Sequence, residues 1–274
     1  MPVISTNIAA NSAVRYLNIN SAEQTSSLSK LASGSRISQA KDDAAGLAIS
    51  TRISSDVTAL TQAATNASHG ISVLQTADGG ASNISDILQR MKALASQSSS
   101  GTVTDTERAY INAEFSQLID EVDGIATSTR YNGESLLDGT SPFASGITVM
   151  VGSDAADTIT LTLSDLSSAT LGIDSLSTDS QSNASSALTA LDSAIDTVSK
   201  ARADIGSLES RFSFRSGSIA TNIENLQAAN SAIKDTDVAA ESANLASAKV
   251  KTQAAVAAAA QASQMPQDLL KLLQ

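Results

Sequence analysis

The sequence predicts a mainly α-helical protein: a long antiparallel helical bundle or coiled coil with a small β-hairpin region and paired N- and C-terminal helices. Apolar residues recur every three or four positions over most of the 274 residues, which is the spacing of one helix face. Aromatic residues make up only 3% of the chain and Trp is absent. The apolar content is mostly Ala, Leu, Ile and Val, so thin seams between helices are expected rather than one thick core.

The spacing predicts the first two helices. From Ile53 the apolar series continues to Ala95 and indicates a helix of about 50 residues. Asp78 takes one position of this series, and Gly79 and Gly80 behind it form a weak point, since an interior Gly costs about 1 kcal/mol relative to Ala. A shorter series with polar residues in its middle predicts the N-terminal helix: Val14, Leu17, Ser21, Gln24, Leu28 and Leu31.

A third helix and a hairpin are expected next. Thr104 and Glu107 fit the capping box that starts a helix, and an antiparallel return along the second helix is the economical arrangement. The segments "ITVMV" and "TITLTL", separated by "GSDAAD", predict a β-hairpin at about 140–180. Two turn signals, Asn-Gly and Asp-Gly, precede it in "RYNGESLLDG".

Helical spacing resumes after a stretch predicted to be loop, "SDLSSATLGIDSLSTDSQSN". The series runs from Leu188 to Ile233, and Arg202 and Arg215 interrupt it. Near the C-terminus, "AAVAAAAQA" is small and apolar on every side, which is typical of a buried helix. Because Ala buries little area, this helix is expected to pack closely against many copies of itself and of the N-terminal helix.

Composition excludes several classes of function. The net charge is −11 and the pI about 4.4, so the basic surface that nucleic-acid binding needs is not expected. No run approaches the ~18 apolar residues of a membrane span, so no membrane insertion is predicted. The absence of Cys excludes disulfides and thiolate metal sites. The N-terminus does not resemble a Sec signal.

The stretch "SGSRISQAKDDAAGLAIS", residues 33–50, allows three interpretations: a phosphate loop, a carboxylate site or a joint between helices. Gly34 and Gly46 are too far apart for a phosphate loop, and no strand precedes them. Asp42 and Asp43 point ~100° apart on a helix, so they do not converge on one atom. A joint is favoured, in which Gly34 ends one helix, Asp42 or Asp43 caps the next, and Gly46 permits close approach.

A second joint is predicted at "IKDTDVAAE", where Asp235 and Asp237 are suited to cap the last helix. Arg36 and Lys41, together with Asp42 and Asp43, are expected to fix the angle between helical parts by pairing with neighbouring subunits. His69 is the only histidine and has no cluster of ligand residues at suitable spacing. Neither a metal, a cofactor nor a catalytic constellation is predicted.

Several long segments, in order, resemble bacterial flagellin, the subunit of the flagellar filament. They include "ISTNIAA", "LSKLASGSRISQAKDDAAGLAIS", "ISVLQTADG" and "ILQRMKALASQ" at the N-terminal side, and "ESRFSF", "NLQAANSAIKDTDVAAE" and "MPQDLLKLL" at the C-terminal side. The resemblance covers roughly residues 1–140 and 185–274. The middle is short, so the chain resembles a flagellin without the large outer inserted domains.

The resemblance implies a division into segments. Residues 1–33 and 236–274 would form an inner coiled-coil domain lining the filament channel, residues 34–45 a connector, and residues 46–235 an outer helical domain with the hairpin. Gly34, Arg36, Lys41, Asp42, Asp43, Asp235 and Asp237 would be connector and subunit contacts. The residues expected to pack in the inner core are Leu17, Leu28, Leu31, Leu245, Ala255 and Ala258.

The resemblance also implies a function and partners. The chain would be exported unfolded by the type III flagellar apparatus, be secreted, and polymerise into the extracellular filament that drives swimming. Its partners would be other copies of itself, an export chaperone, the filament cap and hook-associated junction proteins. A Toll-like receptor 5 footprint is matched by Gln89, Arg90, Leu94, Gln97 and Glu114. The alternative is a hook–filament junction protein, with an enzyme as a distant third.

Overall fold

The structure, a computed structural model, describes residues 7–272 and the side chains as far as Met265. The first six and last two residues, which the predicted terminal segments include, lie outside the described residues. Within the described range, helices and short strands follow in the order α1 Ile8–Ser33, α2 Ala44–Ser98, α3 Asp105–Ser128, β1 Arg130–Tyr131, β2 Glu134–Ser135, α4 Pro142–Ser145, β3 Ile147–Met150, β4 Thr158–Leu161, α5 Ser168–Leu171, α6 Gln181–Lys234 and α7 Val238–Leu272. This order confirms the mainly α-helical prediction.

The chain divides into two compact units. The terminal unit comprises the chain up to Ser55 and from Asn225 onwards, and the central unit comprises Asp56–Glu224. The terminal unit thus takes in residues 46–55 and 225–235, for which the resemblance implies an outer domain. That assignment concerns positions in a filament and stays a prediction.

In the central unit, α3 and α6 both run antiparallel to α2. Side-chain hydrogen bonds fix the register of α6, because Gln75 Nε2 donates to Glu209 Oε1 over 3.0 Å and Lys92 pairs with Asp192. Arg90 of α2 meets Glu114 of α3 in the same way, with 2.7 Å between Nη2 and Oε1. The capping box at the start of α3 is present, as predicted from Thr104 and Glu107.

The core of the central unit is larger than the predicted thin seams. Two phenylalanines, Phe115 of α3 and Phe212 of α6, are fully buried. The other large side chains without significant exposure also belong to this unit: Leu74, Ile84, Leu88, Met91, Leu136, Leu137, Leu161, Leu166, Ile173 and Leu191. Each of these contributes ~1.5–3 kcal/mol by leaving water, so this unit has a stable core of its own.

The region between α3 and α6 contains two antiparallel hairpins. The predicted one pairs β3 with β4, with Val149 opposite Ile159. The Asn-Gly turn signal is also confirmed: Asn132 and Gly133 have φ of 51° and 86°, as a tight turn between β1 and β2 requires. The predicted loop before α6 needs correction, since it contains the single turn of α5 and α6 already begins at Gln181.

In the terminal unit, α1 and α7 pair antiparallel, as the fold prediction states. Asn7 at the start of α1 donates from Nδ2 to the carbonyl of Ala262, over 2.6 Å. At the other end of the pair, Ser35 and Asp235 form an antiparallel backbone bridge. The beginning of α2 and the end of α6 also meet here, through a 2.7 Å hydrogen bond from Ser50 Oγ to Asn230 Oδ1.

Candidate functional site

The helix α7 turns one regularly spaced face towards α1. The more buried positions follow each other at alternating intervals of four and three residues, which is the heptad pattern of a coiled coil. Four of the seven are alanines, so the helix can approach its partner closely but gains little from each contact. These positions are Glu241, Leu245, Ala248, Thr252, Ala255, Ala259 and Ala262.

The matching face of α1 is polar in its C-terminal half. Its partly or fully buried positions include Asn20, Gln24 and Ser27 beside Leu17 and Leu31. The Ser27 hydroxyl donates a hydrogen bond to the Glu241 carboxylate, which holds the pKa of Glu241 below its ordinary value, and Asn244 and Lys30 lower it further. The helix pair is therefore held partly by polar contacts that depend on protonation.

The residues predicted to pack in an inner core divide into two groups. Leu17, Leu31 and Leu245 are half-buried and Ala255 is buried. Leu28 is 57% exposed and Ala258 is exposed as well. The series predicted for α1 is corrected accordingly, because the seam uses Ala13, Asn20 and Ser27 in place of Val14, Ser21 and Leu28. A role of the exposed residues between subunits stays a prediction.

The outer faces of the terminal helices carry large apolar side chains in contact with solvent. Among the described residues, most exposed large hydrophobic side chains belong to the terminal unit, and only Tyr110, Met150 and Phe214 belong to the central unit. Those of the terminal unit are Ile8, Val14, Tyr16, Ile19, Leu28, Ile49, Val238, Val250, Val256 and Met265. Such a concentration marks a surface for association with another protein.

The first joint is built as the sequence predicts. Gly34 ends α1 with φ of 69°, a conformation that favours glycine. Asp43 caps α2 by accepting a 2.9 Å hydrogen bond from the Gly46 amide. Asp42 instead accepts hydrogen bonds from Ser38 and Gln39, and these lower its pKa.

Gly46 is required for close packing at this joint. A Cβ on Gly46 would lie 2.8 Å from Cδ1 of Ile37, a residue that is only 4% exposed. The predicted close approach at the start of α2 is therefore present.

The two joints are hydrogen-bonded to each other. The Arg36 amide donates to the Lys234 carbonyl over 2.7 Å, and the Thr236 amide donates to the Gly34 carbonyl over 3.0 Å. The Ser35 hydroxyl donates to the Lys234 carbonyl, and Arg36 Nη2 donates to the Ile233 carbonyl at the end of α6. The cationic guanidinium is well placed there, at the negative end of the helix dipole.

At the second joint, Asp237 caps α7 by accepting hydrogen bonds from the amides of Ala239 and Ala240. Asp235 does not cap α7, since its carboxylate accepts a 2.6 Å hydrogen bond from the Ser231 hydroxyl. Three of the four charges predicted to pair with neighbouring subunits, those of Arg36, Asp42 and Asp43, thus have partners within the chain. Lys41 lines a polar hollow beside α1.

The predicted receptor residues lie on α2 and α3. Gln89, Arg90, Gln97 and Glu114 are exposed, and Arg90 donates to Glu114 from Nε and Nη2. Leu94 is only 3% exposed and belongs to the core of the central unit. It is not a surface residue, because its side chain points into the seam between the helices.

Three arginines with structural roles were not recognised from the sequence. Arg202 donates from Nε to Asp78 over 2.8 Å, so two polar residues that interrupt separate apolar series pair with each other. Arg215 binds Asp157 and the Val151 carbonyl, which ties the β3–β4 loop to α6. The one signal in the sequence was that Asp78 and Arg202 are polar residues at apolar positions of two helices, where they could pair with each other.

Arg108 is buried where α2 ends. Its guanidinium donates to the carbonyls of Ser98 and Ser100 and to the Asp105 carboxylate, over 2.7–3.0 Å. It therefore satisfies the carbonyl of the last α2 residue and a carbonyl of the turn that follows, and so fixes the turn to α3.

Two kinds of site are not found in the described part of the chain. Between residues 7 and 272, no group of three or more potential metal-ligating side chains converges. None of the helices in this range combines the length and apolar character of a membrane-crossing segment.

Comparison with known proteins identifies the family. Residues 4–142 match the bacterial flagellin N-terminal helical region, and residues 188–273 match the bacterial flagellin C-terminal helical region. A flagellin of Halalkalibacterium halodurans is 37% identical over 99% of both chains. The flagellar filament 30.7 kDa core protein of Treponema maltophilum is 36% identical, also over 99% of both chains.

The solved structures agree with this. The crystal structure of Bacillus cereus flagellin, 33% identical, matches with a TM-score of 0.52 over 57% of this chain and 88% of that chain. The relatives have nearly the same length, which fits the predicted absence of large outer inserted domains. The chain belongs to the bacterial flagellin family and is a structural subunit of the flagellar filament.

Proposed function

We propose that the subunit polymerises through the outer faces of α1 and α7. The observation that carries this proposal is the concentration of exposed apolar side chains on these helices, whereas the large buried side chains belong to the central unit. An isolated helix pair with so much apolar surface in water is poorly stabilised. When copies of the chain surround it, the α1–α7 pair buries this apolar surface. Each copy then makes the same contacts with its neighbours.

The alanines of α7 support an inner position in the filament. Small side chains allow helix axes to approach closely, so several neighbours fit around one α7. In this arrangement residues 1–33 and 236–274 form the coiled-coil layer that lines the channel, with residues 34–45 as connector and residues 46–235 outside. Leu28 and Ala258, both exposed in the single chain, would contact neighbouring subunits.

Glutamate substitutions in α7 test this proposal. Ala258→Glu adds a charge to an exposed position, so the α1–α7 pair should remain helical while filaments fail to form, because a charge buried without a partner is strongly unfavourable. Ala255→Glu places the charge inside the pair and should impair it as well. Ala155→Glu, in the exposed β3–β4 loop, is the control.

Electron microscopy and circular dichroism of the purified variants give the result. Filaments of normal length and number from Ala258→Glu would contradict the assignment of α7 to the filament core. The same images address the alternative: a junction protein would stay monomeric at concentrations where this chain forms long filaments. The named flagellin and filament core relatives favour the filament subunit.

We further propose secretion through the type III flagellar apparatus. A chaperone that covers the apolar face of α7 would prevent premature polymerisation before export. At the growing end the filament cap, and at the base the hook-associated junction proteins, would contact the same terminal helices. Co-purification of the intact chain with its chaperone, lost on Val250→Glu and Val256→Glu, would support this.

Recognition by Toll-like receptor 5 is a second proposal. This proposal is supported by the exposure of Gln89, Arg90, Gln97 and Glu114 and by the Arg90–Glu114 ion pair, which joins α2 to α3. Arg90→Ala should reduce receptor activation by the monomer in reporter cells. An unchanged response would remove Arg90 from the footprint.

A further inference from the structure

An exposed aromatic residue flanked by cations lies on α6. Phe214 is 78% exposed, and Arg211 and Ser218 share its helix face. Together with Arg215 and the β3–β4 hairpin they line a hollow of about 450 Å³. The Arg215 guanidinium is bound to Asp157 and to the Val151 carbonyl, so this wall of the hollow is fixed. Burial of Phe214 by a partner is therefore favourable.

A complementary stripe lies on α3. Tyr110 is 74% exposed, and the exposed residues on its helix face are spaced three and four apart. Three of them are glutamates, so an aromatic side chain stands in an acidic row. The stripe is formed by Glu107, Tyr110, Glu114, Gln117 and Glu121. Glu107 and Glu114 are held in position by Thr104 and Arg90.

The two stripes have the same geometry. Both α3 and α6 run antiparallel to α2, so they are parallel to each other. Arg211 precedes Phe214 by three residues, and Glu107 precedes Tyr110 by three residues. If Phe214 lies opposite Tyr110 on a parallel helix, Arg211 lies opposite Glu107. In this arrangement Arg211 pairs with Glu107 and Phe214 packs against Tyr110, so that a charge pair and an aromatic pair form together.

The stripes cannot meet within one chain. Glu114 contacts Arg90 of α2, whereas Phe212 lies against Gly70 of α2. Twenty residues of helix separate Gly70 from Arg90, which corresponds to ~30 Å along the axis. The contact therefore requires two copies in similar orientation. Such a head-to-tail contact produces an open helical assembly when its rotation does not close into a ring.

We propose that the Arg211–Phe214 face of α6 in one copy binds the Glu107–Tyr110 stripe of α3 in the next copy, with the two helices parallel. This inference rests on the function as a filament subunit. It adds to the contacts of α1 and α7 a second, directional contact between central units, which sets the order of copies along the filament.

A double-mutant cycle tests the aromatic pair. Phe214→Ser and Tyr110→Ser should each raise the critical concentration for polymerisation about fivefold, the range of an aromatic pair. The double variant should differ from either single variant by less than about twofold, because both changes remove the same contact. Met150→Ser, an exposed apolar residue of the same unit, is the control. Normal assembly of either single variant, or multiplied effects in the double variant, would overturn the proposal.

Disulfide formation tests the parallel register. The chain has no cysteine, and one heptad beyond the aromatic pair Gln117 would face Thr221 of the neighbour. Filaments of the Gln117→Cys, Thr221→Cys variant, grown with wild-type subunits and oxidised, should yield covalent multimers, since a disulfide needs Cα atoms within ~7 Å. The pair Gln117→Cys, Thr197→Cys is the control. If filaments form but contain no covalent multimers, this register is refuted. The formation of filaments in that case would still support polymerisation itself.

Discussion

Adding one methyl group to α2 should have opposite effects at two adjacent positions. Gly79 is exposed, and a Cβ built on it meets nothing within 4 Å. A Cβ on Gly80 would lie 2.5 Å from Thr129 Oγ1 and 2.8 Å from Leu137 Cδ1. Neither neighbour can move easily, because the Thr129 hydroxyl donates to the Ile125 carbonyl and Leu137 is 1% exposed.

The expected magnitudes follow from these contacts. Gly79→Ala should raise the free energy of unfolding by about 1 kcal/mol, the difference in helix propensity. Gly80→Ala gains the same propensity, but overpacking a closed core costs about 1–3 kcal/mol, and disturbing the Thr129 hydrogen bond adds to it. The two variants should therefore differ by about 2 kcal/mol. At roughly 3 °C per kcal/mol for a domain of this size, their midpoints should differ by about 6 °C.

Urea and thermal unfolding of the monomers, followed by far-UV circular dichroism, measure this difference. The two variants have the same composition, so the comparison isolates the position of the methyl group. If Gly80→Ala were as stable as Gly79→Ala, the close approach of α2 to the α3–β1 turn would not be a constraint. Gly79 and Gly80 would then only lower the stability of helix α2, as the sequence predicts.

Two further predictions concern buried and polar contacts. Arg108→Met keeps the aliphatic stem but leaves two carbonyls without the charged donor, so it should lower the free energy of unfolding by about 3 kcal/mol. The control Arg90→Met, which breaks an exposed ion pair, should cost less than about 1 kcal/mol in the same urea titration, and equal losses would contradict the capping role. Glu241 has a lowered pKa, so its stabilisation of the α1–α7 pair is present above the ordinary value of 4.5 and is lost as the pH falls through the lower folded value. Helicity measured against pH should show a smaller acid-induced loss in Ser27→Ala, and an identical profile would argue against this contact.

The apolar positions of α2, α3 and α6 were predictable because their spacing is regular, whereas Leu166, Leu171 and Ile173 are buried in a stretch that was predicted to be loop. Asp78 and Arg202 illustrate the reverse case. Each interrupts an apolar series, and each was noted as an irregularity, yet the pairing depends on the register between α2 and α6. The register between two helices is set by how their side chains pack, and this cannot be read from a single sequence. The positions of Asp78 and Arg202 were therefore predictable, but the contact between them was not.

The seam of the terminal unit was the harder part. Hydrophobicity selected Leu28 for the interior of the α1–α7 pair, whereas the structure places Ser27 there and leaves Leu28 exposed. Both residues belong to an acceptable 3-4 series, and in most proteins the leucine would be inside. Here the outer face is the more apolar one, which reverses the usual rule. In a chain that assembles, periodicity identifies the faces of a helix but not which of them meets its own chain.

The bond between the two joints has a consequence for the topology of the chain. Ser35 and Asp235 are bridged across 200 residues, so the hydrogen bonds around them close the intervening polypeptide into a ring, as a disulfide staple would. Closing so long a loop costs conformational entropy on folding, and unlike a disulfide these hydrogen bonds leave the unfolded chain unconstrained. A covalent staple, however, would prevent the polypeptide from being threaded through a narrow conduit as a single strand. In the export proposed above, a clasp made only of hydrogen bonds would open for passage and re-form afterwards, and a sequence without cysteine cannot lock it by mistake.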